Sequence, residues 1–134
     1  MKKKLLLLFA LLFLLNLFWE VAHSPLYDWN PQMQDYAPHI LAYSFMDAVY
    51  ISLLFFILSL RNGNINWLNK PRKSDCIFIA VLGLILSMLI EIKAFYLDKW
   101  SYNSMMPQIF GLGLSPLLQL AITSLIAIWF VKNE

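Results

Sequence analysis

The chain has 134 residues, of which 60% are hydrophobic and 13% are charged, with a net charge of +2. Soluble domains carry about 25% charged residues, so this balance excludes an ordinary soluble fold. The single cysteine, Cys76, excludes an internal disulfide, a CxxC redox pair and a thiolate metal cluster, and with them a quinone-linked thiol oxidase of the four-helix type. The chain also lacks a Gly-rich phosphate loop, zinc-finger spacing and a basic stripe with interleaved aromatics, which excludes nucleic acid as a partner.

Taken in order, Met1 to Lys4 is a basic start, and the first apolar run covers residues 5–23. A positive start, a leucine-rich run and Ala22-His23-Ser24 together resemble a cleavable signal peptide. Pro25 would follow the cut, Trp19 and Glu20 crowd it, and later helices offer polar partners for Glu20. Retention as a first membrane helix is therefore expected. The next stretch carries Pro25, Pro31 and Pro38, which argue against a continuous helix there. Its Tyr27, Trp29 and Tyr36 are amphipathic aromatics of the kind found at a membrane interface.

The second span is expected over residues 39–60. A basic loop follows, with Arg61, Lys70, Arg72 and Lys73, the turn signal Asn62-Gly63-Asn64, and Trp67 and Leu68 expected to rest on the membrane surface. The third span covers 75–96. A polar connection with Trp100, Tyr102, Asn103 and Pro107 leads to the fourth span, 109–131. Four runs near the ~20 residues that a membrane helix needs leave room only for short loops. The expected fold is all-α: a polytopic membrane protein made of one four-helix bundle. No internal repeat supports an inverted-repeat transporter.

The basic residues orient this bundle. Lys2, Lys3, Lys4, Arg61, Lys70, Arg72, Lys73 and Lys132 fall at one end, and only Lys93 and Lys99 at the other. The bias toward the cytoplasmic side places both termini in the cytoplasm, in the plasma or inner membrane. Glu20, Asp28, Asp35, Asp47, Glu91 and Asp98 cluster at the opposite end.

Helical spacing gives each span a polar face. The first offers Asn16, Glu20 and His23; the second Tyr43, Asp47 and Tyr50; the fourth Ser115, Gln119 and Thr123. The third offers Ala80, Gly83, Ser87, Glu91 and Ala94, a small-residue seam ending in a carboxylate. At the helical rise, Glu20 and Glu91 lie roughly 7 Å below the outer boundary and Asp47 roughly 12 Å. Three carboxylates from three helices thus come within about two helical turns of one another in depth. Charge at that depth is costly and marks function.

Three chemistries suit the cluster. Glu-x-x-His is the spacing by which helix bundles present two ligands to one metal, so Glu20, His23, Asp47 and Glu91 could hold one divalent ion, with His39 as a spare ligand. The motif occurs once, so a single ion such as zinc or iron is the most it supports. Alternatively Glu20, Asp47 and Glu91 perform general acid–base catalysis on an apolar or lipid-like molecule. Asn16, Tyr43, Tyr50, Ser87 and Gln119 would then bind the substrate or support the acids by hydrogen bonding. Thirdly, the acids relay protons or cations through a small transporter acting as a homo-oligomer. Against all three stands a purely structural subunit of a larger membrane complex, with Glu20 capped by aromatic donors and Glu91 paired with Lys93 or Lys99. The residues Pro107, Gly111, Gly113 and Pro116 make the start of the fourth span irregular, either as an ordinary loop or as a lid over the acids.

The strings Trp19-Glu20-x-x-His23-x-Pro25-Leu26-Tyr27, Trp100-x-Tyr102 with Met106-Pro107, and Gly111-x-Gly113-Leu114-x-Pro116-Leu117-Leu118-Gln119 resemble a small prokaryotic four-helix membrane-protein group without an assigned activity. The resemblance covers about a third of the chain and implies a fold but no chemistry. The chain is also similar in size to small multidrug transporters, which carry a Glu in their first helix. There the Glu lies mid-helix, whereas Glu20 lies near the helix end.

Overall fold

The computed structural model describes residues 2–30 and 36–132. Pro31, Asp35 and the last two residues fall outside these, as does the side chain of Tyr36. Four helices dominate: α1 (Lys2–His23), α2 (Tyr36–Asn62), α3 (Lys73–Tyr96) and α4 (Leu114–Val131). Each is long and apolar enough to cross a membrane. Between them lie short strands β1 (Tyr27–Trp29), β2 (Trp100–Tyr102), β3 (Gln108–Ile109) and β4 (Leu112–Gly113).

The sequence explains where each helix stops. The leucine run of α1 favours helix, and the chain leaves it at His23, just before the single-turn Ser24–Leu26 that contains Pro25. In α2, Pro38 sits in the first turn, where its missing N–H breaks no helical bond. Helix α2 ends at Gly63, whose φ of 58° lets its N–H reach Leu60 O while Asn64 N reaches Ser59 O. Asp98, with φ 52°, closes α3 the same way, through Asp98 N to Phe95 O and Lys99 N to Ala94 O.

The fourth helix starts at Leu114, not at 109. Residues 108–113 form a tight hairpin instead, pairing Gln108 with Gly113 and Ile109 with Leu112. Phe110 and Gly111 at its tip both have positive φ, the geometry of a two-residue hairpin turn. A hydrophobic stretch alone could not distinguish that hairpin from a first helical turn.

Helix α4 packs chiefly on α3 and α1, and α1 on α2, while α2 and α3 touch less. Gly83 explains the α3–α4 approach: a Cβ there would lie 2.9 Å from the Ala121 backbone nitrogen. The small-residue seam of α3 is thus used inside the chain, against α4. The core divides along its length. Its basic half is apolar, built on Leu8, Leu12, Ile51, Leu58, Ile79 and Val131. Its other half is polar, with Asn16, Glu20, Asp47, Ser87, Glu91 and Gln119 buried.

Trp67 and Leu68 belong to the apolar core and not to a surface. Both are buried, with Trp67 edge-to-face on Phe55 and donating its indole N–H to Ser59 Oγ at 3.0 Å. Asp75, also buried, locks the same end: it accepts from Arg72 N at 3.0 Å and from Asn62 Nδ2 at 3.1 Å, tying the end of α2 to the start of α3.

Gly83→Val should therefore force α3 and α4 apart. The expected loss is about 1–3 kcal/mol, as for overpacked cores. Thermal unfolding of the purified chain checks it, with Val81→Ala on the exposed side of α3 as a control that shifts the midpoint little.

Candidate functional site

The polar half of the core is organised by one side chain, Gln119 on α4. Its amide Nε2 donates at 3.1 Å to Asn16 Oδ1, at 2.9 Å to Glu20 Oε1 and at 2.9 Å to Asp47 Oδ2. An amide nitrogen carries two protons, so three acceptors share two donors. The Glu20 and Asp47 carboxyl groups are thus drawn to one nitrogen from two helices. Asn16 is completed from its other side by donating to Leu12 O at 2.8 Å. Three helices therefore meet at this amide, and α4 supplies it.

His23 continues the chain of contacts. Its Nε2 lies 3.3 Å from Glu20 Oε2, the i,i+3 spacing read from the sequence. Its Nδ1 lies 2.9 Å from Ser115 Oγ, which also accepts from Trp19 Nε1 at 3.2 Å. The hydrogen bonds at both nitrogens fix the ring's position.

Glu91 is held separately. Tyr102 donates its hydroxyl to Glu91 Oε2, and Trp100 Nε1 lies 3.5 Å from the same oxygen. Neither Lys93 nor Lys99 forms an ion pair with it among the described residues. Both aromatic donors arrive on β2, which pairs antiparallel with β1: Tyr27 opposes Tyr102 and Trp29 opposes Trp100. The pairing is fastened on both sides by Asn103 N to Leu26 O at 3.1 Å and Asn30 Nδ2 to Asp98 O at 2.9 Å. Tyr27 makes tilted or edge contacts with Trp29, Trp100 and Tyr102 at ring separations of 5.6 to 5.7 Å, and its ring also meets His23 at 5.2 Å. The result is an aromatic cap over the acidic end of the bundle.

Beneath the cap lies a cavity of about 260 Å³ lined from all four helices. Glu20, Asp47 and Glu91 all line it, as do Tyr43, Tyr50, Ser87 and Gln119. Nearly all of the residues picked from sequence thus converge on one space. The two tyrosines line the wall without bonding an acid among the described residues. His39 stands apart, stacked on Tyr43 with ring centroids 6.1 Å apart. As for a metal, no group of three or more His, Cys, Asp or Glu among the described residues is arranged to hold one. Gln119 lies between Glu20 and Asp47, and both His23 nitrogens face protein partners.

A lid over the acids and aromatic donors to an acid are both expected from the sequence, but the pairing of β1 with β2 is not, and the acid capped is Glu91 rather than Glu20. The signal for that pairing was present in two short segments, Tyr27-Asp28-Trp29 and Trp100-Ser101-Tyr102, each alternating aromatic and polar residues as a strand does. Ser115 was noted as part of a helix face, but nothing local to it points to His23, which lies 92 residues away in the sequence.

Burial holds the Tyr27 phenol well above its ordinary ionisation range, and the neighbouring Glu91 and Glu20 push further the same way. Tyr102 is raised too, first by burial and then by its hydrogen bond to Glu91. No family model matches this chain, and neither does any curated protein or solved structure.

Two predictions follow from this geometry. Gln119→Leu removes the two amide protons that Glu20, Asp47 and Asn16 share, leaving Asn16 only Thr123 Oγ1, at a cost of about 1–3 kcal/mol for each proton lost, so the variant should lose much of its folded population, whereas Gln119→Asn should lose less. Thermal unfolding and yield of folded protein measure both. The second concerns alkali. Above about pH 10 an unfolded chain ionises its phenols, while folded Tyr27 and Tyr102 keep their protons. The folded state then binds more protons, so stability falls as pH rises from there. Tyr27→Phe should flatten that alkaline decline in unfolding midpoint.

Proposed function

We propose that the chain is a multi-pass protein of the cytoplasmic membrane, with both termini on the cytoplasmic side, acting as a small membrane enzyme by general acid–base chemistry on an apolar molecule. The orientation rests on the placement of the basic residues, eight of ten at the end that holds the termini. The chemistry rests on one observation: carboxyl groups from α1 and α2 share a single amide on the wall of a cavity that α3 completes with a third carboxyl.

Two carboxyl groups sharing one amide nitrogen repel each other when both are ionised, and a single proton held between them relieves this. The pair then offers a proton donor and a proton acceptor side by side. A substrate C–H proton passes to the carboxylate, and the neighbouring carboxylic acid returns a proton elsewhere on the substrate. Nothing is consumed, and no co-reactant is needed. Gln119 holds the two groups in register, and the His23–Ser115 contact anchors Glu20 from behind. The aromatic cap keeps water from the acids, which strengthens every electrostatic contact inside.

Deuterium exchange tests this reading without knowledge of the substrate. The purified chain in lipid nanodiscs is incubated in heavy water with an apolar extract of the membranes that carry it. High-resolution mass spectrometry then seeks deuterium fixed on carbon. Wild-type protein should label an apolar component, and Asp47→Asn and Glu20→Gln should lower the labelling rate at least a hundredfold, as for loss of a general acid or base. Labelling that persists in both variants, or that never appears with wild type, would overturn it.

A further inference from the structure

Ser87 behaves unlike five other hydroxyls of these helices. Ser44, Ser52, Ser59, Thr123 and Ser124 each turn back onto the carbonyl four residues earlier, which satisfies a hydroxyl within an apolar helix. Ser87 does not. Its Oγ is buried, lines the cavity and has no hydrogen-bond partner among the described residues. A buried polar atom without a partner is rare and calls for one from the cavity.

The chemistry of that missing partner follows from counting donors and acceptors. The Gln119 amide is spent on three acceptors, and the Trp100 and Tyr102 donors on Glu91 Oε2. Glu91 Oε1 is left accepting nothing from the described residues. What remains on the wall is a carboxylate oxygen, which accepts, and hydroxyls, which can accept or donate. The free donors, Lys93 and Lys99, are exposed at the rim, where solvent screens them. The cavity thus offers an open carboxylate oxygen, an unpartnered hydroxyl and aromatic walls. Tyr43 and Trp100 lie edge-to-face at 5.4 Å beside the acids. Aromatic rings beside carboxylates favour an organic cation, through the negative face of the ring.

We infer that the cavity takes a lipophilic amine in its protonated form, with an N–H donated to Ser87 Oγ and the charge held by Glu91 beside the Tyr43 and Trp100 rings. This rests on the reading of the cavity as a substrate site and names the class of substrate. Glu91 and Ser87, one turn apart on α3, then anchor the head of the molecule. Glu20 and Asp47 face the remainder.

Three probes of nearly equal size test it: benzyldimethylamine, protonated at neutral pH and carrying one N–H; benzyltrimethylammonium, charged but without an N–H; and benzyl alcohol, neutral. Each is titrated calorimetrically into the full chain in nanodiscs, with empty nanodiscs subtracted. The amine should bind most tightly. Ser87→Ala should weaken it about tenfold while leaving the trimethylammonium probe within about twofold, the effect of one hydrogen bond to a charged donor. Ser87→Cys, close in size and a poor acceptor, should reproduce that selectivity should the alanine variant fold badly. Benzyl alcohol binding wild type as tightly as the amine overturns the inference and leaves the substrate-site reading standing. Equal losses for all three probes in the serine variants overturn it as well. Failure of every probe to bind overturns both.

Discussion

Gln119 is where this fold becomes specific. The four helices are long and apolar enough to cross a membrane, and between helices in lipid there is little hydrophobic driving force, because the surrounding tails are as apolar as leucine. Close packing and hydrogen bonds have to select one arrangement from many. Here the selection is made by an amide reaching α1 through Asn16 and Glu20 and α2 through Asp47, on a helix already seated against α3 by the Gly83–Ala121 approach. No rotation of α4 by a turn fraction keeps these bonds, since the three acceptors sit on two different helices. The apolar half of the core fills the space that this junction fixes, with Leu12 directly beneath Asn16 as both a packing residue and its carbonyl partner.

The aromatic cap extends that logic beyond the helices. Backbone pairing of β1 with β2 joins the segment after α1 to the segment after α3, which lie far apart in sequence. Their side chains then reach inward: Tyr102 and Trp100 to Glu91, Tyr27 to His23. The same two strands close the cavity and orient one of its acids. Strand pairs this short are marginal by themselves. They persist because their aromatic residues are packed over a polar core that would otherwise face water.

Helices and their faces were legible in the sequence because they depend on local spacing. Asn16, Glu20 and His23, and Tyr43, Asp47 and Tyr50, were grouped by the 3.6-residue period alone, and all six lie at the polar end of the bundle. That Glu20, Asp47 and Glu91 would line one space was an argument from depth, and depth also reads locally. What escaped were features set by long-range partners. The β1–β2 pair needs two segments about 70 residues apart, each too short to stand out. The Ser115–His23 contact depends on how α4 turns against α1. The burial of Trp67 and Leu68 depends on Phe55 and Ser59 waiting at the end of α2. The hairpin at 108–113 hid in a run apolar enough to read as helix.

The close contact at Gly83 bears on what can sit beside the bundle. Membrane helices that pair tightly across a subunit boundary need small side chains facing outward. Here the small residues of α3 are spent on α4, and the outward surfaces carry Leu53, Phe56 and Leu60 on α2 and Ile77, Val81 and Ile85 on α3. Bulk of that kind holds a neighbouring helix at the ordinary 8–10 Å spacing of side-chain packing. These outward surfaces of α2 and α3 are therefore suited to fluid acyl chains or a neighbour held at side-chain distance.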